Sequence, residues 1–187
     1  MPPERGRARV TTRTGDGGET SLFGKERVRK DDPRIEALGD LDEAQSALGV
    51  ARAQARGTVA ETILELQRGL YIAMSEVATP AADLARLGQR IDALAVAAID
   101  ELAAAVRATA HVEGRFVIPG EDPLSAALDV ARTVVRRAER RVVTLADGGT
   151  VDGTQLVPWL NRLSDVIFVL ARSVEPSATP SKGDGGT

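Results

Sequence analysis

The sequence contains no cysteine and only one histidine among its 187 residues. Without thiols the chain can form neither disulfide bonds nor thiolate metal sites, and it cannot use thiol catalysis. A lone imidazole, at His111, argues against a histidine-built zinc site and against a Ser-His-Asp triad. Enzyme classes that depend on those groups are therefore set aside at the outset.

Aromatic residues are also scarce, at 3% of the chain, whereas hydrophobic residues as a whole reach 43%. The core must therefore be built from Ala, Leu, Val and Ile. Alanine suits helices, and strands prefer β-branched and aromatic residues, so this composition favours closely packed helices over a β-sandwich. The length fits one domain with a sizeable core.

The chain lacks a strong charge bias and a long apolar run. A net charge of -3 gives no global basic surface for nucleic acid. No apolar segment approaches the roughly 20 residues that a membrane span needs, and no apolar signal segment follows the first residues. We therefore expect a cytoplasmic protein that binds neither nucleic acid nor a membrane.

Apolar residues recurring at spacings of three and four predict five helices. Asp32 is predicted to cap the first helix and Asp122 the fourth, each followed by a proline at the first helical position. Thr58 and Glu61 predict a capping box that opens the second helix, which stops before Pro80. The third is predicted from about 88 to 108 with Leu94 in its core stripe, the fourth to end at 148–149, and the fifth to span 158–174.

These elements predict an all-α, five-helix bundle without strands. Residues 1–10 are expected to be a flexible N-terminus, 11–174 a single bundle domain, and 175–187 a disordered tail. Residues 11–31, which we call the leader, are rich in Gly, Thr and charge and are read as a loop. A loop of this length in a compact domain is usually functional or disordered.

The leader has the composition of a phosphate-binding loop. Its glycines allow backbone N–H groups to turn inward around an anion, and its hydroxyls can bond phosphate oxygens. It is not a P-loop, because no Gly-Lys-Ser/Thr closes it and no strand precedes it. A flexible Gly-Thr segment without a ligand is the alternative.

Arginines on the fourth helix form a second candidate. Arg132, Arg136 and Arg140 are four residues apart and therefore share one face. Guanidinium groups suit a triphosphate better than ammonium groups do. Taken alone, the stretch fits a solvated basic face somewhat better, and nucleic-acid binding is a third reading that the lack of interleaved aromatics disfavours. Acids at 40–43 on the first helix, and Asn161 with Asp165 on the fifth, are either site residues or hydrogen-bonding groups at the edge of the core.

In this order, the segments resemble the PduO-type ATP:cob(I)alamin adenosyltransferases. The likeness extends from 12 to 172 through five stretches that keep order and register. They are TRTGDGGETSLFG (12–24), KDDPRIEALGDLDEAQSALG (30–49), FVIPG (116–120), ARTVVRRAERR (131–141) and LNRLSDVIFVLAR (160–172).

The resemblance implies a ferritin-like bundle that assembles as a homotrimer, with ATP sites between subunits. It implies that Asp42 pairs across the interface with Arg132 and that Phe116 stands beneath the corrin ring. These three are the implied cobalamin-binding residues, and together with Arg136 they are the implied catalytic residues. The implied ATP-binding residues are Thr12, Arg13, Thr14, Gly15, Thr20, Ser21, Lys30, Arg136, Arg137, Glu139, Arg140 and Asn161.

The implied reaction transfers the 5′-deoxyadenosyl group of ATP to the cobalt of cob(I)alamin, giving adenosylcobalamin and triphosphate. ATP and the reduced corrinoid are then substrates, Mg²⁺ accompanies the phosphates, and no metal is held by the protein itself. A cob(II)alamin reductase and an adenosylcobalamin-dependent enzyme are the implied further partners.

Several positions depart from the family pattern. Thr11, Gly17 and Gln45 replace the family's usual Tyr, Lys and Asn, and the family's aromatic C-terminal segment is replaced by polar residues at 177–180. Asp129 replaces a usual histidine and stands three residues before Arg132, so it is expected to compete with Asp42. These departures leave an alternative function, a weakened relative that binds ATP or adenosylcobalamin as a carrier or sensor.

Overall fold

The computed structural model describes residues 13–23, 26–110, 117–151 and 155–175. Within these ranges the chain forms a five-helix bundle, which confirms the predicted fold class. The helices are α1 (Pro33–Gln54), α2 (Gly57–Ala78), α3 (Ala93–Thr109), α4 (Pro123–Asp147) and α5 (Leu156–Ser173), with a short 3-10 helix at Ala81–Arg86 and two strands, β1 (Glu19–Ser21) and β2 (Arg27–Arg29).

Two helices begin where local chemistry predicted. The Asp32 carboxylate accepts a hydrogen bond from the Arg34 backbone N–H at 2.8 Å. The Asp122 carboxylate accepts from Leu124 and Ser125 at 2.8 and 3.0 Å. In both cases a proline follows the cap, where its missing N–H costs nothing. The predicted end of α4 is also confirmed, since Gly148 is its C-terminal cap.

The predicted starts of α2 and α3 are wrong. Helix α2 begins at Gly57, so Thr58 lies inside it, and the residue at its cap makes no side-chain capping bond. Helix α3 begins at Ala93, and Asp92 caps it through the Ala95 N–H at 2.9 Å. Leu94 is 78% exposed, whereas Ile99 is buried.

A long-range contact explains the late start of α3. The Glu76 carboxylate of α2 is 1% exposed and accepts a hydrogen bond from the Ile91 N–H at 3.0 Å. Arg90 donates to the same carboxylate at 3.0 Å. The chain is therefore held against α2 just before α3 begins, and a buried charge of this kind requires such partners.

The leader contains a β-hairpin that the sequence analysis did not predict. Strands β1 and β2 pair in antiparallel fashion, with Thr20 opposite Val28. Each strand has three residues and is largely polar. A strand this short offers too few positions for an alternating pattern to be recognised.

The core lies where α4 packs between α1 and α5, with α2 beside α1 and α3 beside α5. Aliphatic residues fill it, and alanines allow close approach of the helices. No helix among the described residues combines the length and apolar composition that crossing a membrane requires. The largest enclosed aliphatic side chains include Leu41, Leu48, Ile63, Leu70, Leu128, Leu156, Leu160, Leu163 and Ile167.

The Gly69–Trp159 contact provides a test of this packing. A Cβ atom at Gly69 would lie 2.3 Å from Cζ2 of Trp159, an indole that is itself buried. We expect Gly69→Ala to lower the free energy of unfolding by about 1–3 kcal/mol, because the rigid ring must move. Urea denaturation measures the change.

Gly39→Ala is the matched control, since nothing lies within 4 Å of a Cβ at that helical position. Removing backbone freedom from the unfolded chain should raise the free energy of unfolding by up to about 1 kcal/mol. Equal effects of the two substitutions would contradict the proposed packing of α2 against α5.

Candidate functional site

The leader hairpin brings its glycines and a lysine together. The Gly18 N–H donates to the Gly15 carbonyl at 3.2 Å, and the Lys30 N–H donates to the Gly18 carbonyl at 2.9 Å. A Cβ at Gly15 would lie 3.3 Å from Nζ of Lys30, so the ammonium group rests beside the Gly15 backbone. The predicted association of a glycine loop with a cation is therefore present in one hairpin.

Arg13 has a backbone conformation that arginine rarely adopts. Its φ is 63°, in the left-handed region, and its side chain is exposed. Next to it, Arg27 fixes the loop by donating to the Thr14 carbonyl at 3.0 Å and to Glu19 at 3.2 Å. Such strain costs about 1–2 kcal/mol and is found preferentially at ligand-binding sites.

The hairpin is docked beside a cavity at the start of α1 and the end of α2. The Phe23 N–H donates to the Ala78 carbonyl at 3.0 Å. Thr20 and Ser21 line the cavity, whose volume is about 560 Å³. Two of the predicted ATP-binding residues therefore lie at an open cavity of a size that a ligand can enter.

The arginines along one edge of α4 form ion pairs with acids of α1. Arg137 Nε lies 3.1 Å from Asp40, and its Nη2 also pairs with Glu43. Hydrogen bonds to Glu43 and Asp40 raise the pKa of Arg137 above its ordinary value. Arg141 lies 3.5 Å from the other oxygen of Asp40. Asp40 and Glu43 therefore form ion pairs between α1 and α4 at the edge of the core.

The outward edge of α4 presents free arginine side chains. Arg136 and Arg140 are exposed, and Arg140 Nη1 donates to the Arg136 carbonyl at 2.9 Å. Beside them, Asn161 of α5 donates to Glu139 at 3.1 Å. Four residues predicted to contact one ligand therefore occupy one accessible surface on α4 and α5, and we call this surface the α4–α5 face.

Other predicted residues are not gathered within this protomer. Asp42 is exposed on α1 and pairs with no cation among the described residues. Arg132 instead lies 3.4 Å from Asp129 on its own helix. Thr12 and Phe116 lie outside the residues that the structure describes, so their predicted roles stay predictions.

Sequence reasoning missed a buried arginine on α5. The Arg172 side chain is 4% exposed and donates to Asp129 at 2.6 Å and to Glu175 at 2.7 Å. The available indication was a cation at the end of the apolar run from Val166 to Ala171. A charge on the buried face of a helix requires a partner.

The described residues contain no group of three His, Asp or Glu side chains that could bind a metal ion. The predicted site residues that the structure describes offer guanidinium, ammonium, amide, hydroxyl and backbone N–H groups. These groups suit an anion with several oxygens, such as a polyphosphate.

Comparison with known proteins gives a consistent result. The family model described as cobalamin adenosyltransferase matches residues 10–174. A corrinoid adenosyltransferase from Citrobacter freundii is 39% identical over 168 residues, covering 89% of this chain and 95% of that protein. A corrinoid adenosyltransferase from Mycobacterium tuberculosis is 37% identical over 183 residues, covering 95% of this chain and 94% of that protein.

Solved structures resemble the fold closely. A Phe-to-Ala variant of the PduO-type ATP:corrinoid adenosyltransferase from Lactobacillus reuteri, complexed with cobalamin and ATP, superposes with a TM-score of 0.80. It is 28% identical in sequence, and the match covers 94% of this chain and all of that chain. An Arg-to-Lys variant from the same organism, complexed with ATP, gives a TM-score of 0.79 at 27% identity, covering 92% of this chain.

The pairing of α1 with α4 gives a test of which acids are structural. We expect Asp40→Asn to lower the free energy of unfolding by about 1 kcal/mol, because Arg137 and Arg141 both lose a charged partner that is 15% exposed. Glu101→Gln, at an exposed position of α3, should change it by less than about 0.5 kcal/mol. Thermal denaturation compares the two, and matching small effects would show that the Asp40 pairs are ordinary solvated contacts.

Proposed function

The chain belongs to the cobalamin adenosyltransferase family, and from this premise we propose which of its residues carry out the reaction. The enzyme transfers the 5′-deoxyadenosyl group of ATP to the cobalt of a corrinoid. The observation that carries the assignment of residues is the accessible α4–α5 face. Its arginines have no carboxylate partner in the part of the chain that the structure describes, whereas those on the neighbouring edge of the same helix are paired.

In this proposal the enzyme is a homotrimer with ATP bound between subunits. The leader of one subunit surrounds the nucleotide, and the α4–α5 face of its neighbour closes the site. The Lys30 ammonium beside Gly15 and the strained Arg13 support a polyanion site in the leader. The proposed ATP ligands are Thr12, Arg13, Thr14, Gly15, Thr20, Ser21 and Lys30 from one subunit, with Arg136, Arg137, Glu139, Arg140 and Asn161 from the next.

Within this set, Arg137 is proposed to contribute positive charge rather than a direct bond to phosphate. Its bonds to Asp40 and Glu43 fix the guanidinium, yet 40% of its side chain stays exposed. It therefore adds a fixed positive charge near the phosphates rather than a movable ligand. Arg136 and Arg140 have no carboxylate partner among the described residues, so they are the groups available for direct bonds to phosphate.

The chemistry requires little acid–base catalysis. Co(I) supplies an electron pair to the ribose 5′ carbon, the C–O bond breaks, and triphosphate leaves with the bonding electrons. The protein's contribution is to align the cobalt with the carbon and to stabilise the charge that develops on the leaving group. Mg²⁺, which we propose accompanies the phosphates, would neutralise part of the charge on the leaving triphosphate.

The corrinoid is proposed to lie between Phe116 and the interface pair Asp42–Arg132. Phe116 provides an apolar wall in place of the lower cobalt ligand, because four-coordinate Co(II) is easier to reduce than Co(II) with an axial base. Asp42 supports this placement in one respect: it is exposed, and no cation within the described part of its own protomer neutralises it. The reacting electrons then come from the cofactor, as in other cofactor-driven reactions.

We further propose that residues 11–174 form a single helical-bundle adenosyltransferase domain and that the enzyme works in the cytoplasm. A cob(II)alamin reductase supplies electrons, and an adenosylcobalamin-dependent enzyme receives the product. The alternative, a carrier or sensor that binds ATP or adenosylcobalamin without turnover, is motivated by Gly17 and Asp129. Tight binding of ATP with no loss of the Co(I) absorption band would favour that alternative.

The free arginines give the first test of the proposal. Arg136→Ala and Arg140→Ala should each lower kcat by on the order of 10²–10³, the usual effect of removing a donor that stabilises developing charge. Circular dichroism should show an intact bundle. Arg68→Ala is the control, because Arg68 is an exposed arginine in the middle of α2. Full activity in both α4 variants would refute the catalytic reading of this face.

Subunit mixing tests the location of the site. Lys30→Ala removes the leader ammonium, and Arg136→Ala removes the guanidinium on the α4–α5 face, so each variant alone should be nearly inactive. After joint unfolding and refolding at equal amounts, random assortment should give roughly a quarter of the sites two intact halves and restore about that share of activity. A mixture as inactive as its components would place both residues in a site within one subunit.

A further inference from the structure

A cluster of polar side chains is enclosed where the start of α4 meets the end of α5. It consists of Ser125, Asp129, Arg132, Arg172 and Glu175, and we call it the Asp129 cluster. Ser125, Asp129 and Arg172 are buried, at 0%, 4% and 6% exposure. Its two carboxylates balance its two guanidinium groups, as enclosed charges require.

Arg172 is the cation that anchors the cluster. Its Nη2 donates to Asp129 Oδ2 at 2.6 Å and to Glu175 Oε1 at 2.7 Å. The Ser125 hydroxyl donates to the same Glu175 oxygen at 2.6 Å. These are short, charge-assisted bonds, so the Asp129 carboxylate has a fixed orientation.

Arg132 is held differently. Only its Nε contacts Asp129, at 3.4 Å from Oδ1, which is a long hydrogen bond. Its guanidinium carbon lies 5.9 Å from the centre of the Phe168 ring, against which Arg172 also packs at 5.3 Å. The Arg132 side chain is 28% exposed, and its two Nη atoms make no hydrogen bond to the described residues.

This geometry bears on the expected competition between Asp129 and Asp42 for the guanidinium group of Arg132. A guanidinium group can receive a carboxylate along the edge formed by Nε and one Nη or along the edge formed by its two Nη atoms. Asp129 contacts only Nε. The edge formed by the two Nη atoms therefore stays available, so Asp129 occupies a different edge from the one an incoming carboxylate needs.

We propose that Asp129 is a positioning residue: it fixes Arg132 through Nε so that the two Nη atoms are presented to a carboxylate of a second copy of the chain. This inference rests on the proposed function, in which that carboxylate is Asp42 of the neighbouring subunit. Arg172 and Phe168 contribute by fixing Asp129 and the guanidinium plane. Less side-chain entropy is then lost when the subunits and the corrinoid come together.

The central experiment compares Asp129→Asn in two backgrounds of the full-length assembly. In the wild-type background we expect kcat/KM for cob(I)alamin to fall on the order of tenfold, the size typical of coupled neighbouring side chains. The ATP dissociation constant should stay unchanged. In the Arg132→Lys background, which has no Nε–H donor, the same substitution should change kcat/KM less than about twofold.

Ser125→Ala is the matched control. It removes a buried hydrogen bond from the same cluster without touching Arg132, so it should lower the melting temperature and leave kcat/KM for cob(I)alamin as it was. An equal loss from Asp129→Asn in both backgrounds, or a parallel loss of ATP affinity, would show that Asp129 only maintains the fold. If Asp129→Asn does not fold, the charge-balanced pair Asp129→Asn with Arg172→Gln replaces it.

An NMR measurement separates this inference from the proposed function. The Nε–Hε resonance of Arg132, identified by its loss in Arg132→Lys, should shift and exchange faster with solvent in Asp129→Asn but not in Ser125→Ala. An unchanged resonance would overturn the positioning role even in an active enzyme. A wild-type protein that forms no adenosylcobalamin would instead refute the proposed function, while the resonance still decides whether Asp129 holds Arg132.

Discussion

The packing of α4 between α1 and α5 is the constraint on which the rest of the structure depends. A helix that contributes to the core on one side can present arginines only along its remaining edges. On the edge towards α1, Arg137 and Arg141 meet Asp40 and are neutralised. On the outward edge, Arg136 and Arg140 meet no carboxylate among the described residues. One helix therefore carries both the ion pairs that fix it and the charges proposed for the ligand.

A similar contrast between firmly paired and loosely held arginines appears at the start of α4. There Arg172 enters from α5 and donates to one oxygen of Asp129 and to one oxygen of Glu175. Arg132, four residues before Arg136 in the sequence, makes only one side-chain hydrogen bond to the described residues, through Nε. The α4 arginines belong to one basic stretch, yet their partners differ: Arg137 and Arg141 pair with α1, and Arg132 pairs with Asp129 of its own helix. Counting charges along the stretch would give no means of telling them apart.

The parts of the fold that could be predicted from sequence are those determined by neighbouring residues. Asp32 and Asp122 cap their helices through N–H groups two or three residues away, and the apolar period marks α1 and α4 correctly. The start of α3 was mispredicted because Glu76 holds the preceding residues from another helix. The β-hairpin was missed because its strands are too short and too polar to show a pattern.

The sequence allowed the residues of the site to be recognised, but only part of their spatial arrangement could be predicted from it. Arg136, Arg140 and Asn161 were recognised from their spacing and from family resemblance, and they do share a surface. Arg172 was overlooked, because its role depends on Asp129, which is distant in sequence and adjacent only in the fold. The pairing of Asp42 involves a second chain in our proposal, and a single sequence carries no direct information on which surfaces of two copies meet.

The buried position of Trp159 has a practical consequence for solution work. It is the chain's only tryptophan, and its indole lies against Gly69 on the side of α5 that faces α2 and α3. Asn161 projects towards α4 instead. Intrinsic fluorescence that is excited at the red edge of the protein's absorption band therefore comes from this one indole, which lies in apolar surroundings. Its emission maximum reports the integrity of the bundle without an added label, and each spectral change can be attributed to a single location.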